Sequence, residues 1–221
     1  MSRPSASRAD RFEDRVDAGR RLGRELADAV EAPIVVLGVA RGGMIVAAEV
    51  ARTLGAPLDV VIPRKLGAPG NPELGIGAVA PGVRVLDHAI MRTLGVDESY
   101  VEAEARRQEA EIERRTVAYR AGAPPVDLRG ATAVVVDDGI ATGVTAVAAL
   151  RWARAQGASS VILAAPVGPA GIERRLQAEC DRCVITLTPG NLRSVGQWYV
   201  RFDQTTDDEV RAAMGAASKD R

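Results

Sequence analysis

The densest chemistry in this chain lies in Val134-Val-Val-Asp-Asp-Gly-Ile-Ala-Thr-Gly-Val-Thr145, where two adjacent carboxylates are followed by small residues and hydroxyls. Ionised Asp137 and Asp138 are acceptor-only groups, suited to the two neighbouring hydroxyls of a ribose. Gly139 and Gly143 allow tight backbone geometry. Successive N–H groups along Gly139, Ile140, Ala141, Thr142, Gly143, Val144 and Thr145, the two threonine hydroxyls and a helix starting near Val144 together make an anion site. A monoester phosphate fits there, so the segment reads as a site for a phosphorylated sugar.

Three further segments carry chemistry-bearing residues. Gly38-Val-Ala-Arg-Gly-Gly43 is a glycine-rich turn in which the N–H groups near Ala40, Gly42 and Gly43 approach a second anion and Arg41 brings charge; mere packing is its plainer reading. Arg64-Lys65 leads into Gly67-Ala-Pro-Gly-Asn-Pro-Glu73, whose Gly and Pro content predicts an exposed, turn-rich loop over about 64–82 rather than a core element. Arg64 and Lys65 are either cations for a substrate or solvated residues at a strand end. Glu73 either orients a base, binds metal through water, or is a surface charge. Three of the seven aromatic residues, Trp198, Tyr199 and Phe202, cluster in Val195-Gly-Gln-Trp-Tyr-Val-Arg-Phe202, where Trp198 or Tyr199 either stacks on a ligand or pins the last helix to the domain.

The elements that must hold these residues follow from hydrophobic periodicity. An amphipathic helix is expected over 10–31, then a strand over 34–37, a helix over 44–54 and a strand over 58–62. A strand over 134–136, a helix over 144–155, a strand over 161–165 and a last helix over 207–214 complete the series. The apolar, β-branched strands alternate with helices, which predicts a parallel sheet with right-handed crossovers and ligands at its carboxyl edge. The Glu- and Arg-rich run 101–120 pairs Glu102 with Arg106 and Glu111 with Arg115 at i,i+4 spacing and reads as a mostly solvated helix. A lid or a subunit contact is its other reading.

These motifs resemble the phosphoribosyl-pyrophosphate (PRPP) motif of type I phosphoribosyltransferases: an apolar run, two acids, a Gly/Thr loop and a helix. The resemblance covers about 10–215 and includes Arg64-Lys-Leu-Gly-Ala-Pro-Gly-Asn-Pro-Glu73 and Val195-Gly-Gln-Trp-Tyr199, which are similar to a bacterial group within that family. It implies an α/β fold, a central parallel sheet flanked by helices, with a small hood over about 166–202 and a charged helical insertion over 97–120. It also implies pyrophosphate binding by the turn at Arg41, often with a non-proline cis peptide, which here would be Ala40-Arg41. The loop at Arg64-Lys65 takes the place of the family's flexible catalytic loop, with Lys65 and Arg64 as its cations. The hood would hold an acceptor base on Trp198 or Tyr199 and on backbone groups around Val167. The implied activity is transfer of a phosphoribosyl group from PRPP to a nitrogenous base in salvage. Mg²⁺ would be carried by substrate oxygens, with Asp137 and Asp138 as its nearest protein groups. Ala141 departs from hypoxanthine/guanine enzymes, which place an aspartate there, and matches adenine enzymes. A PRPP-sensing regulator and an acceptor-independent hydrolase are the rival readings.

Other features narrow the classes. With 221 residues and 47% hydrophobic content, one α/β domain is expected, with tails at 1–9 and 216–221. Its 29 basic and 29 acidic residues cancel, which argues against a general affinity for nucleic acid or anionic membrane. No Gly-Lys-Ser/Thr follows the glycines, and residues 1–33 contain no continuous apolar stretch, so neither a nucleotide P-loop nor a membrane span is expected and a cytoplasmic location is. Cys180-Asp-Arg-Cys183 lacks a second Cys pair, and the single histidine, His88, is distant, so the pair reads as structural. By analogy with the fold, a homodimer is expected.

Overall fold

The computed structural model describes residues 11–219. The tail expected over 1–9 lies outside them, as do residues 220 and 221. Helix α1 (Arg15–Ala27) is followed by β1 (Ile34–Val39), α2 (Gly42–Leu54), β2 (Leu58–Val61), β3 (Arg64–Ala68), β4 (Asn71–Ala80) and β5 (Val83–Leu86). Helices α3 (His88–Leu94) and α4 (Glu98–Arg120) then lead to β6 (Thr132–Val136), α5 (Val144–Ala155), β7 (Ser160–Val167), α6 (Ile172–Leu176), β8 (Arg182–Leu187) and α7 (Asp207–Lys219).

The expected parallel sheet is present, five strands in the order β2-β1-β6-β7-β8. Its strands alternate side chains between two apolar layers. Val36, Val134 and Ile162 meet Leu22, Leu26, Met44, Val50 and Val210 on one face, whereas Val35, Leu37, Val135 and Leu163 meet Ala149, Leu150 and Ala153 of α5 on the other. Both faces are covered, which is why these strands read as continuous Val/Ile/Leu runs. Gly38 of β1 lies opposite Val136 of β6, so the turns after both strands emerge side by side at the carboxyl edge.

Three expectations are corrected. The segment 64–82 is not an exposed loop: β3, β4 and β5 form a three-stranded antiparallel sheet whose Leu66, Ile76, Val79 and Ala80 are buried. Its Gly and Pro residues mark the hairpin tip, where Gly70 has φ 72°, and an irregular register where a side chain at Gly67 would meet Pro72 Cα at 2.6 Å. Helix α4 is solvated along most of its surface, as read, but Val101, Glu104, Ala105, Gln108, Ile112 and Tyr119 line one buried face at helical spacing. Asp59 of β2, 2% exposed, fastens the end of α4 by accepting from Arg120 Nε and Nη2 at 3.1 and 3.0 Å. The first helix begins at Arg15, not near residue 10, because Asp14 caps it by accepting from the Asp17 N–H at 3.0 Å. The last helix runs to Lys219, through four residues expected in a tail.

Candidate functional site

Strand β6 ends at Val136 and presents Asp137 and Asp138 at the sheet edge, both part-buried. Beside them is the turn from β1 into α2, whose Ala40-Arg41 peptide is cis, as the resemblance implied. Glycines at 42 and 43 are what let this turn lie against the acids. A Cβ at Gly42 would overlap Asp138 Oδ2 and lie 2.9 Å from Arg15 Nε, and one at Gly43 would lie 2.7 Å from the Val136 carbonyl and 2.9 Å from Asp137 Cα.

The Gly/Thr segment turns from the acids into α5. Ile140 is 2% exposed and its N–H donates to the Val167 carbonyl at 2.8 Å, so Val167 braces the loop from β7. Gly143, with φ 82°, is the N-cap of α5 and contributes no side-chain cap; Ala141 and Thr142 are exposed beside it, and Val144 and Thr145 open the helix. The first turn of α5 holds no acidic residue. Its leading N–H groups and dipole are therefore disposed toward an anion. Helix α6 supports the loop from behind, with Leu176 and Ile172 packed at Gly143 and Arg175 Nη2 donating to the Thr142 carbonyl at 3.0 Å.

Electrostatics set the acid pair apart. Burial pushes the Asp137 carboxyl well above the usual carboxylate range, and the neighbouring charge of Asp138 adds to the rise. Burial also raises Asp138, while Arg15 pulls it back down. The Asp138 N–H donates to Asp137 Oδ1 at 2.8 Å, and the Tyr199 hydroxyl donates to the Asp138 carbonyl at 2.5 Å.

Arg15 is the residue that sequence reasoning missed. Its Nε donates to Asp138 Oδ2 at 2.8 Å, its Nη1 donates to the Asp203 carbonyl at 2.7 Å, and its guanidinium lies 3.9 Å from the centre of the Phe202 ring. The chain brings it there by pairing residues 12 and 13 with 198–201: the Phe12 N–H donates to the Trp198 carbonyl at 2.9 Å, and the Val200 N–H donates to the Phe12 carbonyl at 2.8 Å. One local signal pointed to it. Asp14 with Asp17 three residues on marks a helix start, which puts a cation at the first helical position, where the dipole disfavours it unless an outside anion compensates.

The other expected site residues divide. Ala40, Arg41, Gly42 and Gly43 adjoin the acid pair, and Arg41, part-buried, has Nη1 3.7 Å from Asp207 Oδ1. A cleft of about 350 Å³ lined by Arg15, Arg41, Gly42, Phe202, Gln204 and Thr205 opens beside it. Arg64 and Lys65 belong to β3 instead. Arg64 Nε donates to Gln108 Oε1 of α4 at 2.9 Å, and Lys65 Nζ donates to the carbonyl of Glu73, across the hairpin, at 2.8 Å. Tyr199 is 3% exposed, with Phe12 and Phe202 ring centres 5.5 and 4.8 Å away, and Trp198 is 8% exposed in the same cluster. Both rings are packing groups here, and they hold the segment before α1 rather than the last helix. Cys180 is buried and Cys183 half-buried, both as free thiols.

Residues 9–191 match the model of the phosphoribosyl transferase domain, and the chain belongs to that family. Proteins from two Mycobacterium tuberculosis strains, each provisionally named a phosphoribosyl transferase, are 48% identical to it over 210 residues, 95% of this chain and 47% of each relative. The chain thus spans about half the length of the curated relatives it matches. The crystal structure of TT1426 from Thermus thermophilus is similar in fold, with a TM-score of 0.77 and 43% identity over 92% of this chain and 97% of that one.

Proposed function

We propose that this chain transfers the 5-phosphoribosyl group of PRPP to a nitrogenous base in purine or pyrimidine salvage and releases pyrophosphate. The observation that carries this reading is the part-buried Asp137-Asp138 pair at the end of β6, followed directly by a helix N-terminus with no side-chain cap and no acidic first turn. Acceptor oxygens suited to a diol and donors suited to a phosphate thus occur in one strand-to-helix turn, which supports a ribose 5-phosphate ligand. Family membership supports the same reading.

In this account Asp137 and Asp138 accept from the ribose hydroxyls, and the N–H groups and hydroxyls of residues 139–145 hold the 5′-phosphate. Arg41 and the backbone of Ala40, Gly42 and Gly43 face the pyrophosphate. Lys65 and Arg64 would serve as its cations only on leaving the Glu73 carbonyl and Gln108, which hold them here. Breaking the C1–oxygen bond leaves positive charge on the sugar and negative charge on the departing pyrophosphate, and the acceptor nitrogen then forms the new bond to C1. The protein's contribution is position and charge, with the carboxylates near the sugar and the cations near the leaving group. Ala141 offers no acid or base, so the acceptor's proton passes to another carboxylate or to water.

Among the described residues, no group of three or more His, Cys, Asp or Glu side chains is placed to hold a metal ion. Two adjacent carboxylates suit a hydrated Mg²⁺ bound mainly through substrate oxygens, and Asp137 and Asp138 are the residues that would meet it. Bound there, the ion supplies charge neutralisation for the pyrophosphate.

Pyrophosphate release from PRPP and Mg²⁺, measured with and without pooled purine and pyrimidine bases, tests the proposal. Release that depends on an added base and is lost in Asp138→Asn is expected. Binding without release would replace the transferase by a sensor, and release without any base would replace it by a hydrolase.

A further inference from the structure

We propose that the cleft between α4, the outer strand β2 and the end of α5 is a second binding site, for a small organic cation with an apolar body. It encloses about 560 Å³, within the range of small-molecule sites. Strand β2 stands at the end of the parallel sheet, and its Val60, Val61 and Ile62 line one side. Ile112 and Val117 of α4 and Trp152 of α5 bring further apolar surface. The cleft is apart from the acid pair. Helix α5 is 12 residues long, about 18 Å, and it starts at the Gly143 turn but meets the cleft with its last turn.

Charge on the α4 side of the cleft is unbalanced. Along the body of α4, Glu102, Glu104 and Glu111 each pair with an arginine of the same helix. Glu109 and Glu113, which line the cleft, do not: Glu109 Oε1 has only Arg84 Nη2 of β5, at 3.7 Å, and among the described residues Glu113 forms no ion pair. They stand one turn apart, a spacing at which like charges destabilise a helix, and the next position of that row, where a cation would compensate, is Val117. Arg120, the arginine lining the cleft, already donates to Asp59 from Nε and Nη2. The helices add to the imbalance. Arg120 is the last residue of α4 and Gln156 the cap of α5, so both carbonyl ends, with their partial negative charge, lie at the cleft.

The apolar half of the ligand follows from the same row of α4. Val117 is 69% exposed, more than any other large apolar side chain among the described residues. An apolar group left in water beside two under-compensated carboxylates complements a ligand with an apolar body and a cationic head. The body would cover Val117, Ile112 and the β2 side, and the ammonium would meet Glu109 and Glu113. A second copy of this chain is a poorer match, because the core of a protein interface excludes unpaired carboxylates.

The test is isothermal calorimetry with 4-phenylbutylamine, with 4-phenylbutyrate as the probe of reversed charge and n-butylamine as the probe without a ring. Wild type is expected to bind one phenylbutylamine per chain, and each of the other two at least about tenfold more weakly. Glu113→Gln should weaken phenylbutylamine at least about threefold, as befits an exposed ion pair. Val117→Lys, which supplies the missing cation at the end of the row, should abolish binding. Both positions are exposed, so both variants should keep the wild-type circular dichroism spectrum. If the lysine variant nevertheless fails to fold, Glu113→Gln decides: a lowered affinity supports the proposal and an unmoved one overturns it. Equal binding of the amine and the carboxylate, or amine affinity unmoved in either folded variant, would overturn it. Absence of binding at millimolar amine would overturn it too, and a sedimentation dimer that Val117→Lys dissociates would then assign the cleft to a second copy. None of these residues lies at the acid-pair edge, so the outcome is independent of PRPP binding.

Discussion

Among the described residues Asp137 forms no ion pair of its own, and its burial makes its ionisation oppose folding. Burial and the charge of Asp138 raise its carboxyl above the usual range, so the folded chain binds more protons than the unfolded one between the ordinary carboxylate pKa and the raised value. Stability therefore falls as pH rises through that window, and the full cost is present above it. Asp137→Asn should remove that cost: thermal unfolding at neutral pH should shift upward, by about 2–4 °C for each kcal/mol relieved, while PRPP affinity falls. A lower melting temperature would contradict the electrostatic account. Gly42→Ala makes a complementary prediction, since the added methyl would intrude on Asp138 and Arg15. It should lower PRPP affinity by at least about tenfold, as expected when a hydrogen bond to a charged group is lost, and calorimetry would show it. The two acids and the glycines were legible because they are contiguous in sequence and their types specify a chemistry. Arg15 was not, because its meaning depends on a contact made across the fold.

Among secondary elements, legibility depended on whether the partner lay nearby in sequence. Helix α5 begins and ends where periodicity placed it, because Gly143 and the apolar face define it locally. Strands β3 and β4 were hidden under glycines and prolines that serve a hairpin tip, and their burial depends on α4 and α5. Hydrogen exchange discriminates loop from strand directly: amides of residues 77–80 should be protected, and those near Gly70 should exchange quickly. Equal, fast exchange through the whole segment would restore the loop. The buried face of α4 was obscured by its Glu/Arg content, since Glu104 and Gln108 lie on that face and satisfy each other, Gln108 Nε2 donating to Glu104 Oε1 at 2.8 Å. Asp59 anchors the far end of the same helix and also accepts from the Val126 N–H at 3.0 Å. Asp59→Ala should cost about 3–5 kcal/mol in chemical denaturation because it leaves Arg120 unpaired in a largely buried position. A loss below about 1 kcal/mol would show that this ion pair does not hold α4.

Among the described residues three apolar clusters organise the fold: one on each face of the parallel sheet, and a third joining Phe12 and Ala18 to Val167, Trp198 and Tyr199. The first two were implied by alternating strands and helices. The third joins the start of the described chain to its C-terminal part and could not be read from either segment alone. Its consequence is functional placement: the cluster fastens α1 beside the acid pair, while β1, β6 and α5 converge on the same edge from within the sheet. Among the described residues, no helix is long and apolar enough to cross a membrane. The central claim, that this edge is a ribose 5-phosphate site, is tested most directly by calorimetric titration of PRPP with Mg²⁺ into the wild-type chain and Asp138→Asn. The account predicts saturable binding by the wild type and a loss of affinity of about tenfold or more in the variant, with the variant still folded as judged by its circular dichroism. Equal affinity in the two folded proteins would contradict it.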